Sequence, residues 1–331
     1  MYHINLNGSY YQMGYQQGQL LKQAGFTLPA PEEKMLRFAQ ECAKIVDQYM
    51  PGLLDEIRGV AEGAHIEYDA VMTLTMTAPF DPQEVPGCSI VAVMPERTQN
   101  KKLIVGRNFD MPYYISKEGA TTYCTCPEGH FASIGNCDIW VGRWDGFNEA
   151  GLFTASAALL LPEPTPVLPG PVGWFTGRHI LDNVRTVEEA VAFTESLPRT
   201  GSGSRLVADT SSAVVIEVGV TGMQVRYPED GLLIATNHAV CPQFAGTEIR
   251  VPPSSHSRFN RLDELLRKRN VTIEDVKRAL SDHTGGVCAH EVDPSGEKFG
   301  TIWSMVGIPG ERAVYIADGH PCRSAYKTVE F

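Results

Sequence analysis

No apolar run in this 331-residue chain approaches the roughly 18 residues that a membrane-spanning helix needs, so an integral membrane protein is not expected. Positive charge is scarce as well. There are 28 basic against 39 acidic residues, a formal net charge of −11. That balance repels polyanions, and the one short basic cluster, Arg267-Lys268-Arg269, reads as the solvated end of a helix, so no nucleic-acid partner is expected. The opening Met1-Tyr2-His3-Ile4-Asn5 has neither the basic start nor the apolar stretch of a secretory leader. The closing Thr328-Val329-Glu330-Phe331 matches no address or lipidation signal, and the default expectation is a cytoplasmic protein.

Familiar site motifs are missing too. There is no G-x-G-x-x-G after a strand, no G-x-x-x-x-G-K, no H-E-x-x-H and no G-x-S-x-G elbow. Eight cysteines stand at 42, 88, 124, 126, 137, 241, 288 and 322, and without a leader they read as free thiols. The local group Cys124, Cys126 and Cys137 lacks the spacing and the second pair of a zinc knuckle. The sequence therefore predicts no metal and no cofactor.

What remains is ordinary globular material, 43 % apolar and 20 % charged, long enough to bury a full core without disulfides. The first 87 residues carry 11 acidic and 5 basic side chains and read mostly as helix. Ser9 precedes a helix over 10–22. Met35, Phe38, Ala39, Cys42, Ile45, Val46 and Tyr49 recur at helical spacing, and a further helix follows Pro51 with Leu53, Leu54, Ile57, Val60, Ala61 and Ala64 on one face. The segment ends in Asp81-Pro82-Gln83-Glu84-Val85-Pro86-Gly87, an irregular connection. From Cys88 onward short apolar runs suggest strands over 89–94, 102–109, 131–134, 139–144, 151–161, 206–209, 213–220, 223–226, 232–236, 301–307 and 313–317. Helices are expected over 174–184, 186–197, 257–268 and 272–283, and Thr186-x-x-Glu189 reads as a capping box. Five prolines within 162–171 mark a loop placed to wall a pocket. Two helical groups between three strand groups suit a layered α+β body, without fixing its topology.

Three spots carry candidate chemistry. At Pro86-Gly87-Cys88-Ser89 a nucleophilic thiol opens a strand directly after a glycine and at a composition boundary. An N→S acyl shift at the Gly87–Cys88 bond would give Cys88 a free α-amine, which near neutral pH can serve as the base for its own thiol. The same position also reads as a buried cysteine opening a strand. Gly106-Arg107-Asn108-Phe109-Asp110 places an arginine and an aspartate at one strand end, either to balance a thiolate and an amine or as a surface ion pair. Ala235-Thr236-Asn237-His238 ends a strand with an amide that can donate to an oxyanion; His238 reads as a base or as a structural histidine.

Taken together these pieces resemble the acyl-coenzyme A:6-aminopenicillanic acid acyltransferase (isopenicillin-N N-acyltransferase-like) family, a branch of the N-terminal-nucleophile (Ntn) hydrolases. The opening from Gly8 to Gly18 is similar to the family's G-x-Y-x-x-G-x-Q-x-G signature, and Asp55–Ala64 to its prosegment helix. Gly87-Cys88-Ser89 stands at the place of its autocleavage site, and Arg107–Asp110 at its aspartate strand. Asp145-Gly146-Phe147-Asn148-Glu149-Ala150-Gly151-Leu152 is similar to a turn shared with bile-salt and penicillin V hydrolases. Thr236-Asn237-His238, Thr301–Ser304 and Gly319–Cys322 follow in family order.

The resemblance implies an α+β, four-layer αββα sandwich. It implies a helical prosegment, 1–87, cut from a catalytic part, 88–331, with the cleaved fragment remaining as a partner. In that reading Cys88 is the nucleophile, Asp110 holds its α-amine, Arg107 neighbours it, Asn237 serves the oxyanion and Arg258 lies near the site. Phe147 and Asn148 are expected to contact substrate. The implied activity is hydrolysis of a small N-acyl amine or N-acyl amino acid through an acyl-Cys88 thioester. Coenzyme A-dependent acyl transfer and an unprocessed binding protein are the alternatives, and a homo-oligomer stays open.

Overall fold

The computed structural model of the protein describes residues 1–77, 87–118, 120–164, 166–292 and 298–331. The expected irregular connection at 81–86 lies outside the described residues. The chain runs β1 (Tyr2–Gly8), α1 (Tyr10–Gln23), α2 (Glu33–Tyr49), α3 (Leu53–Ala64), α4 (Tyr68–Thr77), β2 (Gly87–Val93), β3 (Ile104–Pro112), α5 (Tyr113–Glu118), β4 (Thr121–Pro127), β5 (Ser133–Cys137), β6 (Asp145–Asn148) and β7 (Phe153–Ala157). It continues through α6 (Gly173–Asn183), α7 (Val187–Ser196), β8 (Gly203–Ala208), β9 (Ala213–Gly219), β10 (Gly222–Arg226), β11 (Leu232–Ala235), α8 (Ser255–Leu266), α9 (Ile273–Leu280), β12 (His290–Val292), β13 (Lys298–Gly307), β14 (Ala313–Asp318) and β15 (Lys327–Glu330).

These strands form two sheets. One has the order β1-β4-β5-β6-β7-β8-β9-β10; the other runs β11-β2-β3-β13-β14-β15, with β12 added beside β13. Strand alternation decides what faces what. On β2, Cys88, Ile90 and Ala92 join Val105 and Phe109 of β3, Phe153 and Ala155 of β7 and Leu206 of β8 in a core between the sheets. Val91 and Val93 point the other way and pack under Leu262 and Leu266 of α8 and Val276 and Leu280 of α9. On the far sheet Val207, Val214 and Ile216 face α6 and α7. The result is the four-layer αββα sandwich.

Several local signals act as their chemistry requires. Ser9 with Gln12, and Thr272 with Asp275, form complete capping boxes that satisfy otherwise orphaned amides at the starts of α1 and α9. Thr186 caps Glu189 N, but the Glu189 carboxylate accepts from Arg185 N instead of closing the box.

The N-terminal segment departs from the expectation in one respect. Tyr2–Gly8 is a strand, paired in parallel with β4. Neither β1 nor β4 is among the expected strands, and the strand expected over 139–144 falls instead at Asp145–Asn148. Residues 139–144 are held as loop: Arg143 N donates to Trp174 O and Trp144 Nε1 to Asp138 Oδ1. The helices α2 to α4 bury Val46, Ile57, Val60 and Val71 against Leu6, Tyr123, Val141 and Phe175 on the outside of the β1 sheet.

The α1 and α3 helices cross at backbone distance. A methyl group on Gly14 would strike the Glu56 carbonyl, one on Gly18 the Val60 carbonyl, one on Gly59 the Tyr11 carbonyl and one on Gly63 the Tyr15 carbonyl. Two glycines four apart on each helix therefore make the interface, which is the physical content of the opening glycine signature. Beside this crossing Glu56 of α3 is fully buried against Arg178 of α6, which also bonds Asp182 at 2.7 Å, while Tyr10 donates to Asp182 at 2.9 Å. Gly59→Val should lower the thermal unfolding midpoint, at a cost of about 1–3 kcal/mol from overpacking. Calorimetry on the purified chain checks this, and an unchanged midpoint would refute the close crossing.

Candidate functional site

Cys88 is the second residue of β2, paired across from Phe109 of β3. Its side chain points between the sheets and is 1 % exposed, yet it reaches the wall of a cavity of about 500 Å³. Burial pushes the thiol up from its ordinary range, and the Arg107 guanidinium opposes that. Arg107 lies two residues along β3 from Phe109 and so on the same face; its Nη2 donates to Cys88 Sγ at 3.2 Å. The same nitrogen donates to Ser156 O at 3.2 Å, while Nη1 pairs with Asp145. Asp145 accepts in turn from Trp303 Nε1 at 2.8 Å and from Asn136 Nδ2 at 2.8 Å. The guanidinium lies over the Phe109 ring at 4.5 Å.

The Cys88 backbone is gripped from the other side. Its N–H donates to Asn237 Oδ1 at 2.7 Å, and its carbonyl accepts from Arg258 Nη1. Arg258 is fully buried in α8. It also reaches Ser89 Oγ at 3.1 Å, Asn237 Oδ1 at 2.8 Å and, through Nε, Ser254 Oγ at 3.1 Å. With two donors on Oδ1, the Asn237 amide has one orientation. Its Nδ2 donates to Ala158 O at 3.1 Å, at the cavity wall.

Asp110 leans to the opposite face of β3. It accepts from Thr301 Oγ1 at 2.6 Å and lies opposite Gly87 in the ladder. A side chain on Gly87 would come within 2.5 Å of Asp110 Oδ2. Glycine here leaves space beside a carboxylate.

Five expected residues thus meet: Cys88, Arg107, Asp110, Asn237 and Arg258. Phe147 and Asn148 do not join them. Phe147 packs in the inter-sheet core against Phe153, at 4.7 Å between rings, and under Gly307. Asn148 donates to Leu181 O and Val184 O and accepts from Leu152 N, tying the β6–β7 turn to the end of α6. Neither lines the cavity. Their motif stabilises a turn, and strand alternation sends Phe147 into the core. His238 is also set apart. Its Nδ1 meets Ser255 Oγ at 2.8 Å and Thr236 Oγ1 at 3.0 Å, and burial, then the neighbouring His256, lower its pKa to about 4.

The cavity wall comes from Phe109, Trp144, Leu159 and Leu161, from Val167 and Leu168 of the proline-rich loop, and from Phe38, Cys42 and Met76 of the N-terminal helices. Asp145 and Ser156, which sequence reasoning missed as site members, act through Arg107. Asp145 is in the quoted turn motif; no local signal singles out Ser156.

Two facing sheets, helices outside and a cysteine at the mouth of the second strand define the Ntn-hydrolase class of fold. A solved structure of penicillin V acylase from Agrobacterium tumefaciens matches this fold with a TM-score of 0.50, at 17 % identity, over 74 % of this chain and 86 % of that one. The N-acylethanolamine-hydrolyzing acid amidase ortholog of Caenorhabditis elegans matches at 17 % identity and a TM-score of 0.49, over 74 % of this chain and 100 % of that one. Residues 97–322 match the acyl-coenzyme A:6-aminopenicillanic acid acyl-transferase family, and the chain belongs to that family. A curated relative, an uncharacterized protein of Archaeoglobus fulgidus, is 24 % identical over 328 positions, covering 80 % of this chain and 54 % of that protein. The chain spans about half the length of the curated relative it matches. Among the described residues no helix is long and apolar enough to cross a membrane.

Arg107→Lys removes the guanidinium nitrogen that donates to Cys88 Sγ. Losing a charge-assisted hydrogen bond worth about 1.5–3 kcal/mol lowers the thiolate population about tenfold or more. The pH profile of Cys88 alkylation by iodoacetamide, followed by peptide mass, should shift to higher pH; an unmoved profile would show that Arg107 does not tune the thiol.

Proposed function

We propose that the protein is a self-processing Ntn amidohydrolase that cleaves N-acyl amides with an apolar acyl group through an acyl-Cys88 thioester. The observation that carries this is the joint placement of Cys88. Its thiol meets a buried guanidinium at the wall of an apolar cavity, and its amide nitrogen meets Asn237 directly after a glycine that abuts Asp110.

Processing begins with Cys88 Sγ attacking the Gly87 carbonyl carbon. The thiol proton passes to the Cys88 nitrogen, with the Asp110 carboxylate beside Gly87 as relay, and the Gly87–Cys88 C–N bond breaks. Water then hydrolyses the Gly87 thioester, giving a Gly87 carboxylate, a free thiol and an α-amine at Cys88. The prosegment, 1–87, stays bound to the catalytic part, 88–331, because β1 is a strand of the shared sheet and the α1–α3 pair is packed onto it.

In turnover the Cys88 α-amine, held by Asn237 Oδ1 and Asp110, takes the thiol proton as Sγ attacks the substrate carbonyl. Asn237 Nδ2, beside the cavity-lining Ala158, donates to the oxyanion. The α-ammonium protonates the leaving amine, and water hydrolyses the acyl-thioester. Arg107 stabilises the thiolate, and Arg258 fixes the Cys88 carbonyl and the Asn237 amide. The cavity volume lies in the usual range for a small-molecule site, about 300–1,000 Å³, and its aliphatic and aromatic wall suits an acyl chain.

Cutting the 331-residue chain after Gly87 gives fragments of 87 and 244 residues. Denatured intact mass should find both in wild type, with Cys88 as the new N-terminus, and a single full-length species in Cys88→Ala. A wild type that never splits and traps no acyl-thioester would end this reading. Asn237→Ala should lower kcat on an N-acyl amide by about 10²–10³-fold with a smaller change in KM, as expected for loss of an oxyanion donor. Steady-state kinetics on the processed enzyme tests it, and equal loss in kcat/KM through KM alone would assign Asn237 to ground-state binding.

A further inference from the structure

Away from the cavity, two separate pieces of chain, 283–290 and the turn holding Cys322, bring four metal-ligating side chains together. Among the described residues, His283, Cys288, His290 and Cys322 place one ligand atom each within 4.8 Å of all the others. His283 follows α9, and Cys288 follows a single 3₁₀ turn at Thr284–Gly286. His290 opens β12, and Cys322 lies in the turn after β14. The Cys124, Cys126 and Cys137 thiols, the only local cluster in the sequence, are not part of this group.

From these positions we infer a structural zinc site of the Cys₂His₂ type, with His283, Cys288, His290 and Cys322 as its ligands. Zinc–sulfur and zinc–nitrogen bonds of about 2.3 and 2.0–2.1 Å set tetrahedral ligand-to-ligand edges of about 3.3–3.8 Å. His290 Nε2 is 3.5 Å from Cys288 Sγ, at such an edge, and 3.2 Å from Cys322 Sγ, just inside one. The remaining ligand atoms, all within 4.8 Å of one another, close onto those edges by contractions of at most about 1.5 Å. Two thiolates and two neutral imidazoles cancel the charge of the ion. Four protein ligands leave no open position, which marks a structural centre and not a hydrolytic one. Binding forms two Zn–S and two Zn–N bonds and releases the thiol protons to solvent, with no change of oxidation state.

The scaffold around the cluster is built to present it. Cys288 N donates to Asp282 O at 2.8 Å, holding the loop onto the end of α9. In the second turn, Ser324 N donates to His320 O at 2.9 Å and Ser324 Oγ to Asp318 O at 2.6 Å. The outer neighbours are ordered too: the His320 ring lies tilted against His290 at 3.8 Å and its Nε2 meets Tyr113 OH at 3.0 Å.

The centre would also steady the proposed processing site. Between the two ligands Cys288 and His290, Ala289 N donates to Thr301 Oγ1 at 3.0 Å, and Thr301 Oγ1 donates to Asp110 Oδ1 at 2.6 Å. A metal that fastens both neighbours of Ala289 thereby positions the hydroxyl that orients Asp110.

The test is metal content of full-length protein expressed with added zinc and desalted without chelator. About one zinc per chain is expected by mass spectrometry. Cys288→Ser with Cys322→Ser should reduce it at least about tenfold, while Cys124→Ser with Cys126→Ser should retain it. Cobalt added to reduced, metal-free wild type should give the visible ligand-field bands and thiolate charge-transfer absorption of a tetrahedral sulfur–nitrogen site. The cobalt spectrum decides the matter if the double variant does not fold. Wild type that carries no zinc and gives no thiolate absorption overturns the assignment. So does a native Cys288–Cys322 disulfide found by peptide mapping. Neither readout uses chain cleavage or amide turnover, so the zinc site stands or falls separately from the proposed activity.

Discussion

The ion pair of Arg107 with Asp145 lies between the two sheets with both side chains fully buried, and much of the structure is arranged around it. Two charges taken out of water cost several kcal/mol each unless their remaining donors and acceptors are met. Here Trp303, Asn136, Ser156 and Cys88 meet most of them, drawing on β13, β5, the end of β7 and β2, while the buried Arg107 Nε has no hydrogen-bond partner among the described residues. The pair therefore ties the two sheets together as well as orienting the thiol. Removing one partner would leave the other charge stranded, a loss of about 3–5 kcal/mol. A cation this deep is expensive unless it is paired, and Asp145 supplies the pair.

A second constraint acts on the other side of Cys88. Arg258 binds the Cys88 carbonyl, Ser89 and Asn237 from α8, so a helix outside the sheet reaches through it to set the backbone at the strand start. Together the two arginines hold the cysteine at Sγ and at its main chain. Both derive from positions that a surface reading of charge would discard as solvated.

The N-terminal helices belong to the same body. Glycine pairs on α1 and α3 allow contact between backbones, β1 extends the sheet, and Glu56 joins α3 to Arg178 of α6. These helices also contribute Phe38, Cys42 and Met76 to the cavity wall. The segment thus shapes the pocket as well as preceding the cysteine in sequence, and the same packing would hold it in place after the proposed cut at Gly87–Cys88.

Local chemistry alone determined a good deal. Helical spacing in the first 77 residues, the helix starts at Ser9 and Thr186, and most strands after Cys88 were legible because periodicity and capping act between near neighbours. Motif order, read through the family resemblance, also pointed to Cys88, Arg107, Asp110, Asn237 and Arg258. Tertiary structure decided the rest. The parallel pairing of Tyr2–Gly8 with Thr121–Pro127 joins segments more than a hundred residues apart, and short strands of mixed polarity gain stability only from the partner. Phe147 and Asn148 proved to be core and turn residues because strand alternation and the end of α6, not motif membership, settle where a side chain points. The reason glycine stands at 87 is the Asp110 carboxylate across the ladder. The gathering of His283, Cys288, His290 and Cys322 depends on β12, β13 and β14 returning two distant loops to one corner, a distance in space that no spacing in the sequence encodes.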